Sequence, residues 1–281
     1  MRKLLSAIAG FAAIVATPAI AADMAVKAPP LPPAPINSWT GWYVGGNVGY
    51  GWGSAQDALA IAQPSLNPAL PLSTLAASNT YRISGVTGGA QAGYNWRVQN
   101  YLLGVEADFQ GSGQKGGGAS NSAFINTLFL QTVATAITES VKLDWLGTVR
   151  GRLGVANDHW IVYATGGLAY GELKTSGVAQ PAPIPALGIS NPPYSWSNES
   201  TKVGWTVGGG IENALTANWS WKVEYLYIDL GTLRTNATYN AGFSCFGGAG
   251  GCVVGAGPAN IAESTRFTDN IVRAGLNYHF H

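Results

Sequence analysis

Eight stretches of the chain alternate with a period of two between large apolar residues and small or charged ones, and the charges fall on the glycine-rich side. In the stretch Trp42 to Trp52 one set is Trp42, Val44, Gly46, Val48, Tyr50 and Trp52, and the other is Tyr43, Gly45, Asn47, Gly49 and Gly51. The same split recurs in Gly85 to Trp96, Tyr101 to Gly111, Leu143 to Gly154, Trp160 to Gly171, Lys202 to Asn213, Trp219 to Leu230 and Thr268 to Phe280. It is weakest in Trp160 to Gly171, where Tyr163 falls with Thr165, Gly167 and Ala169. Successive strand side chains point to opposite sides, so each stretch predicts a strand with one apolar face and one face of glycine and charge. A soluble barrel or sandwich keeps its polar face outward. Here that arrangement is inverted, and lipid is the solvent that suits an apolar exterior. Trp42, Trp52, Tyr94, Trp96, Tyr101, Trp160, Trp219 and Tyr278 also stand near the ends of their stretches, where interfacial aromatic girdles lie.

Composition points to the same solvent. Charged residues are 10% of the 281, against about 25% in soluble domains, too few to cover a water-facing surface. A hydrophobic content of 47%, with 10 Trp and 12 Tyr, excludes a disordered chain. A net charge of +1 with no basic run gives nucleic acid nothing to bind. No stretch makes a membrane helix: Ser122 to Thr138 comes nearest and is interrupted by Asn126, Gln131 and four threonines. Only helices and closed barrels satisfy the backbone inside lipid. The predicted fold class is therefore all-β, an eight-stranded antiparallel transmembrane β-barrel with short periplasmic turns and four long extracellular loops.

The N-terminus sets the compartment. Arg2 and Lys3 precede an apolar stretch, Leu4 to Val15, and Ala19-Ile20-Ala21 offers the small-x-small pattern of a cleavage site. That stretch is too short to span about 30 Å of hydrocarbon. Residues 1–21 are expected to be a cleaved secretory signal peptide, 22–38 a Pro-rich periplasmic spacer, and 39–281 a barrel in a Gram-negative outer membrane. Losing Arg2 and Lys3 from the 15 basic residues leaves 13 against 14 acidic ones, a charge of −1. Lys27 to Pro35 reads as an extended spacer; a ligand for an SH3-type domain is the other reading. Short connections fall at Arg97 to Asn100, Val155 to His159 and Ala214 to Asn218. Long ones fall at Gly53 to Ser84, Ser112 to Lys142, Glu172 to Thr201 and Gly231 to Phe267.

The charges expected in the lumen are Glu106, Asp108, Asp144, Arg150, Arg152, Glu212, Lys222, Glu224 and Arg273. Buried charges are costly unless paired and hydrogen-bonded. Eight strands enclose a space just wide enough for side chains, whereas an aqueous channel takes about sixteen. The charges are expected to neutralise one another as a plug; a narrow polar pore for very small solutes is the alternative.

No catalytic residue, cofactor or metal is expected. Gly49-Tyr-Gly-Trp-Gly53 and Gly208-Gly-Gly-Ile lack the G-x-G-x-x-G spacing, and no G-K-[ST] occurs. His279 and His281 share a strand face without a third ligand. His159 falls in a periplasmic turn and the other two at the periplasmic end of the last strand. That leaves no base for a His-dependent nucleophile at the outer end.

Two loops carry further expectations. Phe124, Leu128, Phe129, Val133 and Ile137 recur at near-helical spacing, yet frequent Thr and Val favour strands extended above the bilayer over a helix capping the mouth. The fourth long loop holds both cysteines, Cys245 and Cys252, on either side of Phe-Gly-Gly-Ala-Gly-Gly. An oxidising periplasm and a flexible glycine spacer predict a disulfide between them.

The segments WTGWYVGGNVGYGWG, GWTVGGGIENAL, WKVEYLYIDLG and VRAGLNYHF carry a family likeness. They resemble the small alpha-proteobacterial outer-membrane barrels, among them immunogenic and heme-binding surface proteins, similar in fold to opacity-type barrels and the OmpA membrane domain. The resemblance runs from Trp39 to the C-terminus outside the long loops. It implies a non-enzymatic surface protein that contributes to envelope integrity and contacts outer-membrane lipid and lipopolysaccharide. Its loops would meet a host or small-molecule ligand, and periplasmic chaperones and the barrel-assembly machinery would handle its biogenesis. A terminal aromatic is part of the assembly signal in such proteins, which implicates Tyr278 and Phe280, although His281 follows. By analogy with relatives heme is a candidate ligand; the loops offer Tyr81, Tyr194 and Tyr239 but no His.

Overall fold

The computed structural model describes residues 39–63, 73–126, 131–183, 193–239, 244–245, 252–253 and 259–280. The expected signal peptide and spacer lie outside them, as does His281. Seven long strands come first: β1 (Gly41–Gln63), β2 (Ser73–Val98), β3 (Tyr101–Asn126), β4 (Gln131–Ala156), β5 (Trp160–Pro181), β6 (Tyr194–Ala214) and β7 (Trp219–Tyr239). A small ladder of β8 (Ser244–Cys245) and β9 (Cys252–Val253) precedes the last long strand, β10 (Ala259–His279). The eight long strands close an antiparallel barrel in the order β1-β10-β7-β6-β5-β4-β3-β2. Each therefore pairs with its neighbours in the chain, and β1 meets β10 from Tyr43↔His279 upward.

The period-two pattern becomes the wall. Trp42, Val44, Val48, Tyr50 and Trp52 are exposed on the outside of β1, and Val149, Leu153 and Val155 on β4. Two aromatic rings bound this apolar band. One gathers Trp42, Tyr94, Trp96, Trp219, Tyr278 and Phe280, and the other Phe109, Trp145, Tyr170, Trp205 and Tyr227, with neighbouring rings in contact. From Trp42 to Trp52, a rise of about 3.3 Å per residue and a tilt near 40° give a band about 25 Å tall. That is the apolar height of an outer-membrane barrel.

The strands run well past the band. Segments read from sequence as loops continue the same ladders: Asp57 pairs with Asn79 and Thr265, and Glu139 with Gly118 and Gly177. β3 extends to Asn126 and β4 starts at Gln131, so the described parts of this loop are extended strand, while Leu128 and Phe129 lie outside the described residues. Beyond the second aromatic ring the polarity reverses. Thr138, Ser140, Lys142 and Ser176 are exposed outside, while Leu59, Ile61, Ile137 and Val141 are buried inside. One set of strands thus carries a lipid-type barrel below and a water-type barrel above.

Bulges mark the change. The register of β4 shifts between Leu143 and Trp145 and that of β3 between Gly111 and Gln114. A bulge inserts a residue and flips the parity beyond it. It turns Leu143 inward, 1% exposed, and puts Asp144 on the outer face. In β7 the extra residue beside Phe267/Thr268 is followed by Gly231 at φ 72°, a left-handed conformation that glycine adopts without steric cost.

 The lumen is layered. Trp39, Leu102, Ala156, Ile161 and Tyr163 form a buried cluster at the short-turn end. A charged layer follows. Above it sits an apolar core that includes Leu146, Ala169, Leu226, Ile228, Phe267 and Ile271. At the long-loop end a further cluster holds Leu59, Ile61, Leu75, Ile137, Tyr194, Trp196 and Ile261. Tyr81 and Tyr194, read from sequence as loop residues open to a ligand, are instead inside the barrel at 6% and 8% exposure. The strands reach that far and turn both rings inward. The side chain of Tyr239 lies outside the described residues.

Candidate functional site

The strand registers bring the lumenal charges together. Glu106 and Asp108 are successive inward residues of β3, Arg150 and Arg152 of β4, and Lys222 and Glu224 of β7; β6 adds Glu212 and β10 adds Arg273. Glu106 pairs with Arg150, Glu212 with Lys222, and Glu224 with Arg273 across neighbouring strands. All eight side chains are fully buried where they meet.

Glu106 is the hub. Its carboxylate accepts from Lys222 Nζ at 2.9 Å to both oxygens, from Arg150 at 2.5 Å and from the Tyr43 hydroxyl at 2.6 Å. Asp108 takes Arg150 at 3.0 Å, Arg273 at 2.9 Å and Thr148 at 2.7 Å. Glu224 accepts from Arg273 Nε at 2.8 Å, Arg150 at 2.9 Å and Tyr163 at 3.0 Å. Glu212 accepts from Arg152 at 2.8 Å, Ser220 at 2.6 Å and Asn277 at 2.7 Å. Arg152 also lies over the Tyr163 ring, 3.9 Å from its centroid. Four carboxylates meet four cations, so the layer is neutral and densely hydrogen-bonded, as buried charge requires.

Asp144 is the expected member that the structure places elsewhere. The bulge aims it outward, where it pairs with Lys142 and, at 2.9 Å, with Lys174. Lys174 also reaches Glu172 at 3.3 Å and Glu199 at 3.2 Å. These lysines hold the Asp144 carboxyl below the usual aspartate range. Without Asp144 the lumenal set balances, whereas the sequence reading left one acid in excess.

Sequence reasoning missed the neutral partners. Tyr43 falls on the glycine side of its alternation, and its ring occupies the space a side chain at Gly93 would fill. Gln91 links Asn47, at 3.1 Å, to Asn277, at 2.6 Å. It also missed a second polar group higher in the lumen, Asp57, Glu139 and Glu263, because all three lie in segments read as loops. The signal was present as continued alternation: Ala55, Asp57, Leu59 and Ile61 are all buried.

A serine, a histidine and a carboxylate do meet. Ser220 Oγ is 2.9 Å from His279 Nε2, and Glu212 Oε1 is 3.3 Å from the same nitrogen. A nucleophilic relay needs the carboxylate on the other ring nitrogen, and all three residues are buried. His159 lies exposed in the β4–β5 connection. Tyr278 and Phe280, expected as the assembly signal, pack edge to face at 5.1 Å in the lower aromatic ring. Cys245 and Cys252 stand opposite one another in the β8–β9 ladder; their side chains lie outside the described residues.

The sequence matches the family described as outer membrane protein beta-barrel domain over residues 9–280. It is 39% identical over 230 residues to a 31 kDa outer-membrane immunogenic protein of Brucella melitensis, covering 80% of this chain and 86% of that one. A 22 kDa outer membrane protein of Rhizobium leguminosarum is 29% identical over 201 residues, covering 70% and 67%. Among solved structures, the outer membrane protein OprG from Pseudomonas aeruginosa aligns with 86% of this chain and 97% of its own at 13% identity and a TM-score of 0.40.

Proposed function

The chain belongs to the outer membrane protein β-barrel family, and from that premise we propose that it is a non-enzymatic surface barrel, closed to solutes, that supports the envelope and presents its long-loop end to ligands outside the cell. The observation that carries this reading is the filled lumen. A neutral layer of four carboxylates and four cations lies between two apolar clusters, and an eight-stranded barrel has room for little else. Long connections of such barrels face outward and short ones the periplasm. That places the water-type extension above the membrane and the Trp39 cluster at the periplasmic end.

Outer-membrane lipid and lipopolysaccharide are the proposed neighbours of the aromatic-bounded band, and Lys142, Lys174 and Arg266 stand on the outer face beyond it. Tyr278 and Phe280 are the proposed contact for the barrel-assembly machinery. With Tyr81 and Tyr194 inside the barrel, heme capture by those rings has no support in the geometry. Single-channel recording on the full chain, refolded and inserted in a planar bilayer, tests the closed lumen. The expected trace is flat; reproducible conductance steps would favour the narrow pore.

A further inference from the structure

Asp57 on β1, Glu139 on β4 and Glu263 on β10 face into the barrel above the second aromatic ring. Each is 4% exposed. One oxygen from each lies within 4.8 Å of the others. Among the described residues, no lysine or arginine forms an ion pair with any of the three, in contrast to every carboxylate of the lower layer. Their donors are few and neutral. Asp57 Oδ1 accepts from Thr265 at 2.6 Å, Glu139 Oε2 from Asn79 at 3.4 Å, and Glu263 Oε2 from Thr175 at 3.3 Å. Asp57 Oδ2 and Glu139 Oε1 are buried with no donor other than a proton the two carboxyls can share. A buried carboxylate oxygen without a donor or counter-charge is costly, and here two converge on one small space.

We propose that Asp57, Glu139 and Glu263 form a binding site for one divalent metal ion of the calcium class inside the upper barrel. Calcium sits about 2.3–2.6 Å from its oxygens, so two oxygens on one ion are at most about 5 Å apart, which the 4.8 Å spread satisfies. Magnesium demands near-ideal octahedral geometry and gives up its waters reluctantly, so a buried site of three carboxylates favours calcium. The donors are all oxygen, without His or Cys, which suits a hard ion rather than zinc or copper. Thr265 and Thr175 hold two of the carboxylates in place. A groove of about 440 Å³ on the outer wall, lined by Ser140, Ser176, Ser195 and Ser197, also touches Glu139 and Trp196.

Burial and the neighbouring Asp57 push the Glu139 carboxyl up to about 8, and burial raises Glu263 as well. In metal-free protein a proton therefore takes up part of the negative charge. The ion displaces that proton, so binding tightens as pH rises.

The test uses the full chain refolded in detergent and stripped with a chelator. Calcium is titrated by calorimetry, and terbium by the emission that Trp196 sensitises. The expected result is one saturable site, an unfolding temperature that climbs with calcium by mass action, and magnesium binding at least about tenfold weaker. Glu263→Gln and Glu139→Gln each remove a like charge, so both variants are expected to fold while binding calcium at least about tenfold more weakly. Unchanged calcium binding in the folded variants overturns the site. So does the absence of any calcium-dependent heat or shift in unfolding at millimolar calcium and a pH of about 8, which would leave a shared proton as the group that holds the carboxylates together.

Discussion

The lower polar layer of the lumen sets four carboxylates against four cations, whereas the upper one sets three carboxylates against none among the described residues. The two differ in what surrounds the wall. Around the lower layer the outside is Val, Leu and aromatic residues facing lipid, so no ion or water can reach in to compensate a mismatch. The chain must supply every counter-charge itself. Around the upper layer the outside is serine, threonine and lysine. There the surroundings can deliver a proton or a cation, and the sequence can leave acids unpaired.

The largest loss is expected at the hub of the lower layer. Glu106→Gln leaves three carboxylates against four cations and takes a charged acceptor from Lys222, Arg150 and Tyr43. Removing one partner of a buried pair costs about 3–5 kcal/mol. Urea unfolding in lipid vesicles is expected to show a loss of that size.

The upper layer responds to pH instead. The Glu139 carboxyl is raised from 4.5 to about 8 in the folded protein, so the folded state holds a proton that the unfolded state releases earlier. Its contribution to stability is complete below about pH 4.5 and is lost as pH rises through about 8. Chelator-treated protein should weaken over that window, by on the order of 1–2 kcal/mol. Glu139→Gln should flatten the slope, and a slope that survives the substitution would assign it to another group.

Smaller effects sharpen the boundary. Directly opposed residues of an antiparallel ladder place Cα atoms about 4.5–5.5 Å apart, within reach of a disulfide, and Cys245 and Cys252 are so opposed. Non-reducing peptide mass spectrometry should find them linked, and Cys245→Ser should leave insertion and the heat-modified band of the barrel unchanged. Asp144→Asn is expected to do least. Its partners Lys142 and Lys174 lie on the outer face, where exposed pairs contribute little, and the urea midpoint should not move. A large loss there would return Asp144 to the lumenal layer.

The membrane-spanning part of the fold was legible because lipid allows so few alternatives. From Trp42 to Trp52 or from Tyr101 to Gly111 every outward position must be apolar, and the alternation is plain. Above the bilayer that constraint lapses. Leu59, Ala60 and Ile61 run together, and Thr138 and Ser140 alternate with Ile137 and Glu139 in the opposite polarity, so a reading tuned to an apolar outside takes these strands for loops. The lumenal charge cluster was legible except at the bulge. Nothing local in Lys142-Leu143-Asp144-Trp145 marks the inserted residue; it becomes visible only through the register with β3 and β5. Tyr43, Gln91 and Asn277 were hidden for another reason. A neutral side chain on the inward face looks the same in sequence whether or not it bridges charges.

Charge balance in the lower layer is tested most directly by one double-mutant cycle in urea. Glu106→Gln and Lys222→Met each unbalance the layer, whereas the two together restore three carboxylates against three cations. The double variant is expected to lose less than the sum of the single losses, with a coupling of at least about 1.5 kcal/mol. Additive losses would contradict it, because Glu106 and Lys222, 2.9 Å apart, would then be stabilising the barrel independently of each other's charge.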